Sequence, residues 1–181
     1  MNSLQTGHQV TFIARFNKFL SFICFRRSFS GRRALGFELN PYFYSMIKLE
    51  HIGIAVKNLS HSVPLFEALL DTVCYKEELV ESEAVKTAFF ATGDQKIELL
   101  ESTDPNGIIA RFIERKGEGL HHIAFSVSDL DAEVKRLTAA GFVMLNEKPK
   151  PGADNKMVCF LHPKNTNGVL VELCMERERQ V

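Results

Sequence analysis

Four residues in this 181-residue chain carry the types and the spacing for metal chemistry: His51, Glu98, His122 and Glu172. His51 stands in Leu49-Glu50-His51-Ile52-Gly53-Ile54-Ala55-Val56, and His122 stands in Gly119-Leu120-His121-His122-Ile123-Ala124-Phe125-Ser126-Val127. A shift of 71 residues lays one stretch on the other. Glu98 lies between Ile97 and Leu99, Glu172 lies between Val171 and Leu173, and a shift of 74 aligns those two segments. Imidazole and carboxylate suit Zn²⁺, Co²⁺, Mn²⁺, Ni²⁺ or Fe²⁺, with positions left for water or substrate. Two inward carboxylates without a cation would repel and raise each other's pKa. A lone histidine at a strand start is usually structural, and a lone glutamate in an alternating strand usually faces solvent. The matched placement of all four favours a metal site over either bland reading.

The elements that must position these residues follow from periodicity. Ile47–Val56 alternates and is rich in β-formers, so it reads as a strand. Asn58-Leu59-Ser60 supplies capping candidates for a helix running to Leu70, with Val63, Phe66, Leu69 and Leu70 as its apolar face and Pro64 in its first turn. Cys74–Val80, Lys86–Thr92 and Lys96–Glu101 read as strands, with Gly93-Asp94 as a hairpin turn. Ser102 to Pro105 opens a linking helix that continues over Asn106–Lys116. The pattern then restarts: strand Leu120–Val127, a helix capped by Ser128 or Asp129 and closed by Gly141, then strands Phe142–Glu147, Lys156–His162 and Gly168–Met175. The order is β-α-β-β-β, twice, in modules of about residues 46–103 and 118–181. In a strand, each glutamate faces opposite to its apolar neighbours. If those apolar neighbours face the helices, both glutamates face the other side of the sheet, and a pseudo-twofold would bring two His and two Glu together.

Charge and cysteine usage narrow the class. Lys and Arg total 22, as do Asp and Glu. Residues 1–45 hold six bases (Arg15, Lys18, Arg26, Arg27, Arg32, Arg33) and one acid, Glu38, which leaves 16 bases and 21 acids after Ser45. That mildly acidic remainder does not favour nucleic acid as a partner. The four cysteines form no CxxC pair, which argues for a reducing compartment. No apolar run approaches the ~20 residues of a membrane span. The basic, Phe-rich segment 1–45 has three readings: a mitochondrial transit peptide, an over-long start before a true Met46, or a membrane-surface helix. Each sets it outside the catalytic fold and expects it to be poorly ordered. The first implies the mitochondrial matrix and the second the cytoplasm.

Residues 46–181 resemble the vicinal oxygen chelate superfamily and, within it, the methylmalonyl-CoA epimerase family. The carriers are the His51 stretch, Lys96-Ile97-Glu98-Leu99-Leu100, Gly119-Leu120-His121-His122-Ile123-Ala124-Phe125, and Phe160-Leu161-His162-Pro163-Lys164 running on to Gly168-Val169-Leu170-Val171-Glu172-Leu173. The resemblance implies an α+β fold, with paired βαβββ modules forming a curved, barrel-like mixed sheet and helices outside. It implies one divalent metal held by His51, Glu98, His122 and Glu172, with Co²⁺ first and Mn²⁺, Ni²⁺ or Zn²⁺ as alternatives. The substrate implied is methylmalonyl-CoA, whose (R) and (S) forms would interconvert by proton transfer at C2 through a metal-stabilised enolate. Glu172 would serve as a catalytic base, either leaving the metal or acting through its second oxygen. Some relatives place a further catalytic glutamate one strand before Glu98. Here the nearest equivalent is Thr87, with Glu81 and Glu83 upstream, so the second base is open. A homodimer is compatible with the resemblance; a glyoxalase I-type isomerase and a non-catalytic ligand-binding member are the rivals.

Among the remaining candidates, His121 reads as a neighbour of the site, while His8 and His61 are poor ligands. His162 is a candidate for substrate-side work. Lys150, Lys156 and Lys164 read as solvated loop lysines or as contacts for CoA phosphates. Gly152 serves either a turn or a close substrate approach.

Overall fold

The computed structural model describes residues 47–177. The extension expected over residues 1–45, its boundary at Met46 and the compartment it would imply lie outside the described residues.

Eight strands form one mixed sheet: β1 (Lys48–Ala55), β2 (Lys76–Val80), β3 (Val85–Thr92), β4 (Gln95–Ser102), β5 (Gly119–Ser126), β6 (Lys150–Pro151), β7 (Lys156–Leu161) and β8 (Leu170–Glu176). The spatial order is β2-β3-β4-β1-β5-β8-β7-β6. Each half repeats the same plan. Its first strand lies at the centre, its last strand pairs with that one in parallel, and the hairpin partners lie outward. β1 and β5 meet antiparallel and join the halves. Among the described residues, helices α1 (Leu59–Leu70), α2 (Ile108–Lys116) and α3 (Leu130–Ala139) accompany the sheet. Among the described residues, no helix is long and apolar enough to cross a membrane.

Alternation sorts the side chains as expected. Leu99, with Ile97 packed beside it, joins Val56, Leu59, Ala88 and Phe90 in a core that also takes Val63, Phe66 and Leu70 of α1. Leu173, with Val171, packs with Leu130, Leu137, Cys159 and Leu161 around α3. Each fully buried Phe or Leu contributes about 1.5–3 kcal/mol to this helix-side layer. The glutamates between those residues are thereby turned to the opposite face. That face lines a cavity, and residues from both edges of the sheet reach it: Val80 of β2 and Lys150 of β6. The sheet therefore curls around the cavity.

Local chemistry explains the element ends and the departures from expectation. Asn58 and Asp129 cap α1 and α3, their side chains accepting from the Ser60 and Ala132 amides. Gly93-Asp94 is the two-residue turn between β3 and β4, with Gly93 at φ 72°. Pro64 sits beyond the first turn of α1, and Leu69 points outward at 69% exposure. The linking helix starts at Ile108 rather than near Ser102. Asp104 instead accepts from the Asn106 amide and closes a turn, and Gly107 is the N-cap. The strand expected over Phe142–Glu147 shrinks to one bridge, Met144 to Leu161. There the Asn146 side chain replaces a ladder partner: its Oδ1 accepts from the Phe160 amide at 2.9 Å. The short strand β6 follows it, in a stretch where the sequence pattern gives no strand.

Candidate metal centre

The register brings the four residues together. In β1, Gly53 pairs with Glu98 on one side and with His122 on the other. In β5, Ala124 pairs with His51 on one side and with Glu172 on the other. Two small residues thus sit at equivalent places in the repeat, each flanked by a histidine and a glutamate. The space is needed. A Cβ at Gly53 would lie 2.7 Å from His122 Nε2 and closer still to Nδ1 and Cε1.

Two β-bulges set the histidines. Between Leu49 and His51 the β1–β5 register gains a residue on β1, and between Gly53 and Ile54 it gains one on β5. The extra residues are Glu50 and His121. Ordinary alternation would turn each away from the histidine that follows it. The bulges instead leave Glu50 and His51, and His121 and His122, all lining the cavity.

His51 Nε2 and His122 Nε2 lie 2.9 Å apart. Glu98 Oε2 is 3.3 Å from the first and 3.4 Å from the second, and Glu172 Oε2 is 3.6 Å from His122 Nε2. All four residues are buried. Ligands bound at ~2.1 Å to one cation lie about 3.0 Å apart at an octahedral right angle and about 3.4 Å apart in a tetrahedron. The donor separations match that range, and the donor set is two imidazoles with carboxylates. His51, Glu98 and His122 have ligand atoms all within 4.8 Å of one another, while Glu172 stands somewhat apart from that group of three. The site therefore fits a divalent metal.

The electrostatics give the four groups different characters. Burial alone would lower the pKa of His51, but hydrogen bonds to Glu50 and Glu98 outweigh it and hold the ring at about 10. Burial pushes Glu98 up, yet its hydrogen bonds to His122 and His51 bring it down to about 2. Glu172 is raised by burial, which His122 and His51 only partly offset. The mutual raising expected of two inward carboxylates thus appears at Glu172 alone, because Glu98 sits against both histidines. Burial, helped by the charge of His122, pushes His121 down to about 4.

Around this centre lies a cavity of about 310 Å³. Its walls include Val80, Thr87, Ile109, Leu145 and Leu170. Thr87 is 1% exposed. Glu83 stands at the cavity too and pairs with Lys150, whose ammonium also lies 5.6 Å from the centre of the Phe160 ring. Glu81 is not among the lining residues.

The other candidates fall elsewhere or change character. Lys156 is buried, not solvated, and pairs with Glu50 at 3.2 Å and with Glu176. Lys164 and His162 lie outside the cavity. His162 Nδ1 accepts from the Lys164 amide at 3.1 Å and caps a 3-10 turn, so its role in the structure is local. His61 is exposed on α1, and His8 lies outside the described residues. A Cβ at Gly152 would meet Val158 Cγ1 at 2.7 Å, so this glycine serves the β6–β7 hairpin as well as bordering the cavity. Sequence reasoning passed over Glu50 and Lys96. The only signal for Glu50 was its alignment with His121 across the repeat.

Comparison with known proteins places this geometry. Residues 50–160 match the model for the Glyoxalase/Bleomycin resistance protein/Dioxygenase superfamily. An uncharacterized protein of Bacillus subtilis is 39% identical over 129 residues, covering 71% of this chain and 92% of that protein. The mitochondrial methylmalonyl-CoA epimerase of Dictyostelium discoideum is 35% identical over 150 residues, covering 81% and 90%. A solved structure of a methylmalonyl-CoA epimerase in complex with methylmalonyl-CoA and NH4+ superposes with a TM-score of 0.68 at 32% identity, covering 72% of this chain and 94% of that one.

Proposed function

The chain belongs to the Glyoxalase/Bleomycin resistance protein/Dioxygenase superfamily, and from that membership we propose that it is a metal-dependent epimerase that interconverts (R)- and (S)-methylmalonyl-CoA by proton transfer at C2. His51, Glu98, His122 and Glu172 would hold one divalent cation, Co²⁺ first, with Mn²⁺, Ni²⁺ or Zn²⁺ as alternatives. When bound, that cation supplies Lewis acidity for the oxygens on which charge develops as the C2 proton leaves.

The observation that carries this reading is the split between two carboxylates at equivalent places in a duplicated fold. Hydrogen bonds to both histidines hold Glu98 at about 2, so it stays ionised and is suited to hold a cation. Glu172 is raised by burial, and its Oε2 lies 3.6 Å from His122 Nε2. A carboxylate that is buried, raised in pKa and open to the cavity is suited to taking a proton and giving it back. The other acids at the cavity wall are tied to lysines: Glu50 to Lys96 and Lys156, Asp154 to Lys76 and Lys96, Glu83 to Lys150. Glu172 is therefore the residue assigned to C2 proton transfer. The apolar stretch of wall at Val80, Ile109, Leu145 and Leu170 would shield the reacting carbon from water. Relatives that carry the epimerase name, and one seen with methylmalonyl-CoA, support the substrate.

The test is exchange of the C2 proton. The full chain, loaded with Co²⁺ and given methylmalonyl-CoA in D₂O, is expected to show rapid loss of the C2 proton resonance. Absence of exchange, together with turnover of a glutathione hemithioacetal, would move the assignment to a glyoxalase I-type isomerase.

A further inference from the structure

We infer that Glu50 and His121 are a matched pair of positioning residues, each carried into the cavity by a β-bulge and each fixing, through Nδ1, the histidine whose Nε2 enters the donor cluster. The inference rests on the reading of that cluster as a metal centre, and it concerns two cavity-lining residues outside the donor cluster.

The geometry is parallel in the two halves. His51 Nδ1 is hydrogen-bonded to Glu50, and His122 Nδ1 lies 3.0 Å from His121 Nδ1. Both bulges fall immediately before a cluster histidine. A histidine whose Nε2 offers its lone pair to a cation carries its proton on Nδ1, so Nδ1 needs an acceptor. Glu50 is that acceptor for His51. For His122 the acceptor is His121 Nδ1, which obliges His121 to be neutral with its proton on Nε2. Phe112 of α2 backs the His121 ring edge-on, with centroids 4.9 Å apart.

The two partners are not equal. Glu50 is an anion, 9% exposed, and it receives Lys96 Nζ at 2.7 Å from β4 and Lys156 Nζ at 3.2 Å from β7. One lysine comes from each half of the fold. A buried carboxylate held this firmly makes a fixed, strong acceptor. His121 is a neutral acceptor held mainly by packing. The arrangement therefore makes His51 the more basic ligand and ties its orientation to the closure of the two halves. His122 is oriented by the ring beside it.

The test uses the full chain and reads metal binding, so it does not depend on the epimerase assignment. Co²⁺ affinity, measured by competition with a chelator, is expected to fall about 10–100-fold in Glu50→Leu and in His121→Phe. Glu50→Gln and His121→Asn, which restore an acceptor, are expected to recover part of it. Long-range proton–nitrogen NMR of the Zn²⁺-loaded wild type is expected to place protons on Nδ1 of His51 and His122 and on Nε2 of His121. That reading needs no variant to fold. Affinities of the Leu and Phe variants within about twofold of wild type would overturn the inference. So would a His121 protonated at Nδ1, or acceptor-restoring variants that recover nothing. A wild-type chain that binds no Co²⁺ overturns the metal centre itself, and so separates the two failures.

Discussion

Gly53→Ala tests the packing of the centre with one methyl group. The residue has no left-handed backbone angle, so alanine fits the backbone, and in an unstrained position it would gain about 0.4–1 kcal/mol through the unfolded chain. The obstacle is His122. The new Cβ would lie 2.7 Å from Nε2, and ordinary contact begins at 3.4 Å, so that atom must withdraw by at least about 0.7 Å. The ring has little room, since Phe160 stands edge-on at 6.2 Å between centroids and His121 at 5.3 Å. Forced displacement in a packed interior costs about 1–3 kcal/mol, which exceeds the backbone gain. A shift of this size at a donor atom of the cluster also spoils the separations of 2.9–3.6 Å. The expected outcome is a modestly lower melting temperature and Co²⁺ affinity at least ~10-fold weaker, with exchange activity at saturating metal reduced ~100-fold. Calorimetry, chelator competition and C2 exchange measure the three. A Gly53→Ala protein that binds Co²⁺ as the wild type does would show that the histidine is not seated against this strand, and the argument for the cluster would fail with it.

Other expected outcomes are as follows. Glu172→Gln keeps the shape and removes the proposed base, so C2 exchange should fall by at least ~10²-fold while the melting temperature holds, measured by deuterium incorporation and calorimetry. Metal binding should release a proton near neutral pH, because metal-free His51 sits at about 10 and must lose one to offer Nε2; Co²⁺ affinity should therefore rise with pH, checked by titration in buffers of different ionisation enthalpy. In the metal-free protein, the His51 contribution to stability is full below 6.5 and lost as pH rises toward 10, whereas the Glu98 contribution is full above 4.5 and lost as pH falls toward 2; denaturant unfolding across pH should show both limbs. Asn146→Ala removes the side-chain acceptor for the Phe160 amide and should cost about 1–2 kcal/mol in urea unfolding.

Much of the fold was legible because duplication and alternation are properties of the sequence itself. Ile97-Glu98-Leu99 and Val171-Glu172-Leu173 announce which face each glutamate takes, and the cores around α1 and α3 bear this out. The 71-residue repeat likewise paired His51 with His122, and the structure brings their Nε2 atoms to 2.9 Å. What could not be read is what depends on pairing between strands. A bulge is a mismatch between two strands, so neither Glu50 nor His121 carries a mark of it in its own segment. The same holds for Lys156, whose partner Glu50 is more than a hundred residues away in sequence. The strand expected at Phe142–Glu147 failed for a related reason. Its apolar spacing was adequate, but Asn146 spends its side chain on the Phe160 amide and ends the ladder there.

Duplication alone would give a site with two equal halves, and two equal carboxylates cannot divide the work of a ligand and a base. The departures from the repeat break that equality. Gly53 stands where the second half has Ala124, so the His122 ring can lie directly over β1, toward Glu98. Glu98 is then within 3.4 Å of both imidazoles and is held ionised, while Glu172 is left with His122 at 3.6 Å and a raised pKa. One methyl group's difference in a central strand thus contributes to separating the two glutamates chemically. Gly53→Ala together with Ala124→Gly reverses that difference, and it should move Glu172 toward ionisation and Glu98 away from it. Carboxylate NMR titration of the metal-free double variant would show the exchange of order. Unchanged titration of both groups would mean that the asymmetry arises elsewhere, from the lysines gathered around Glu50.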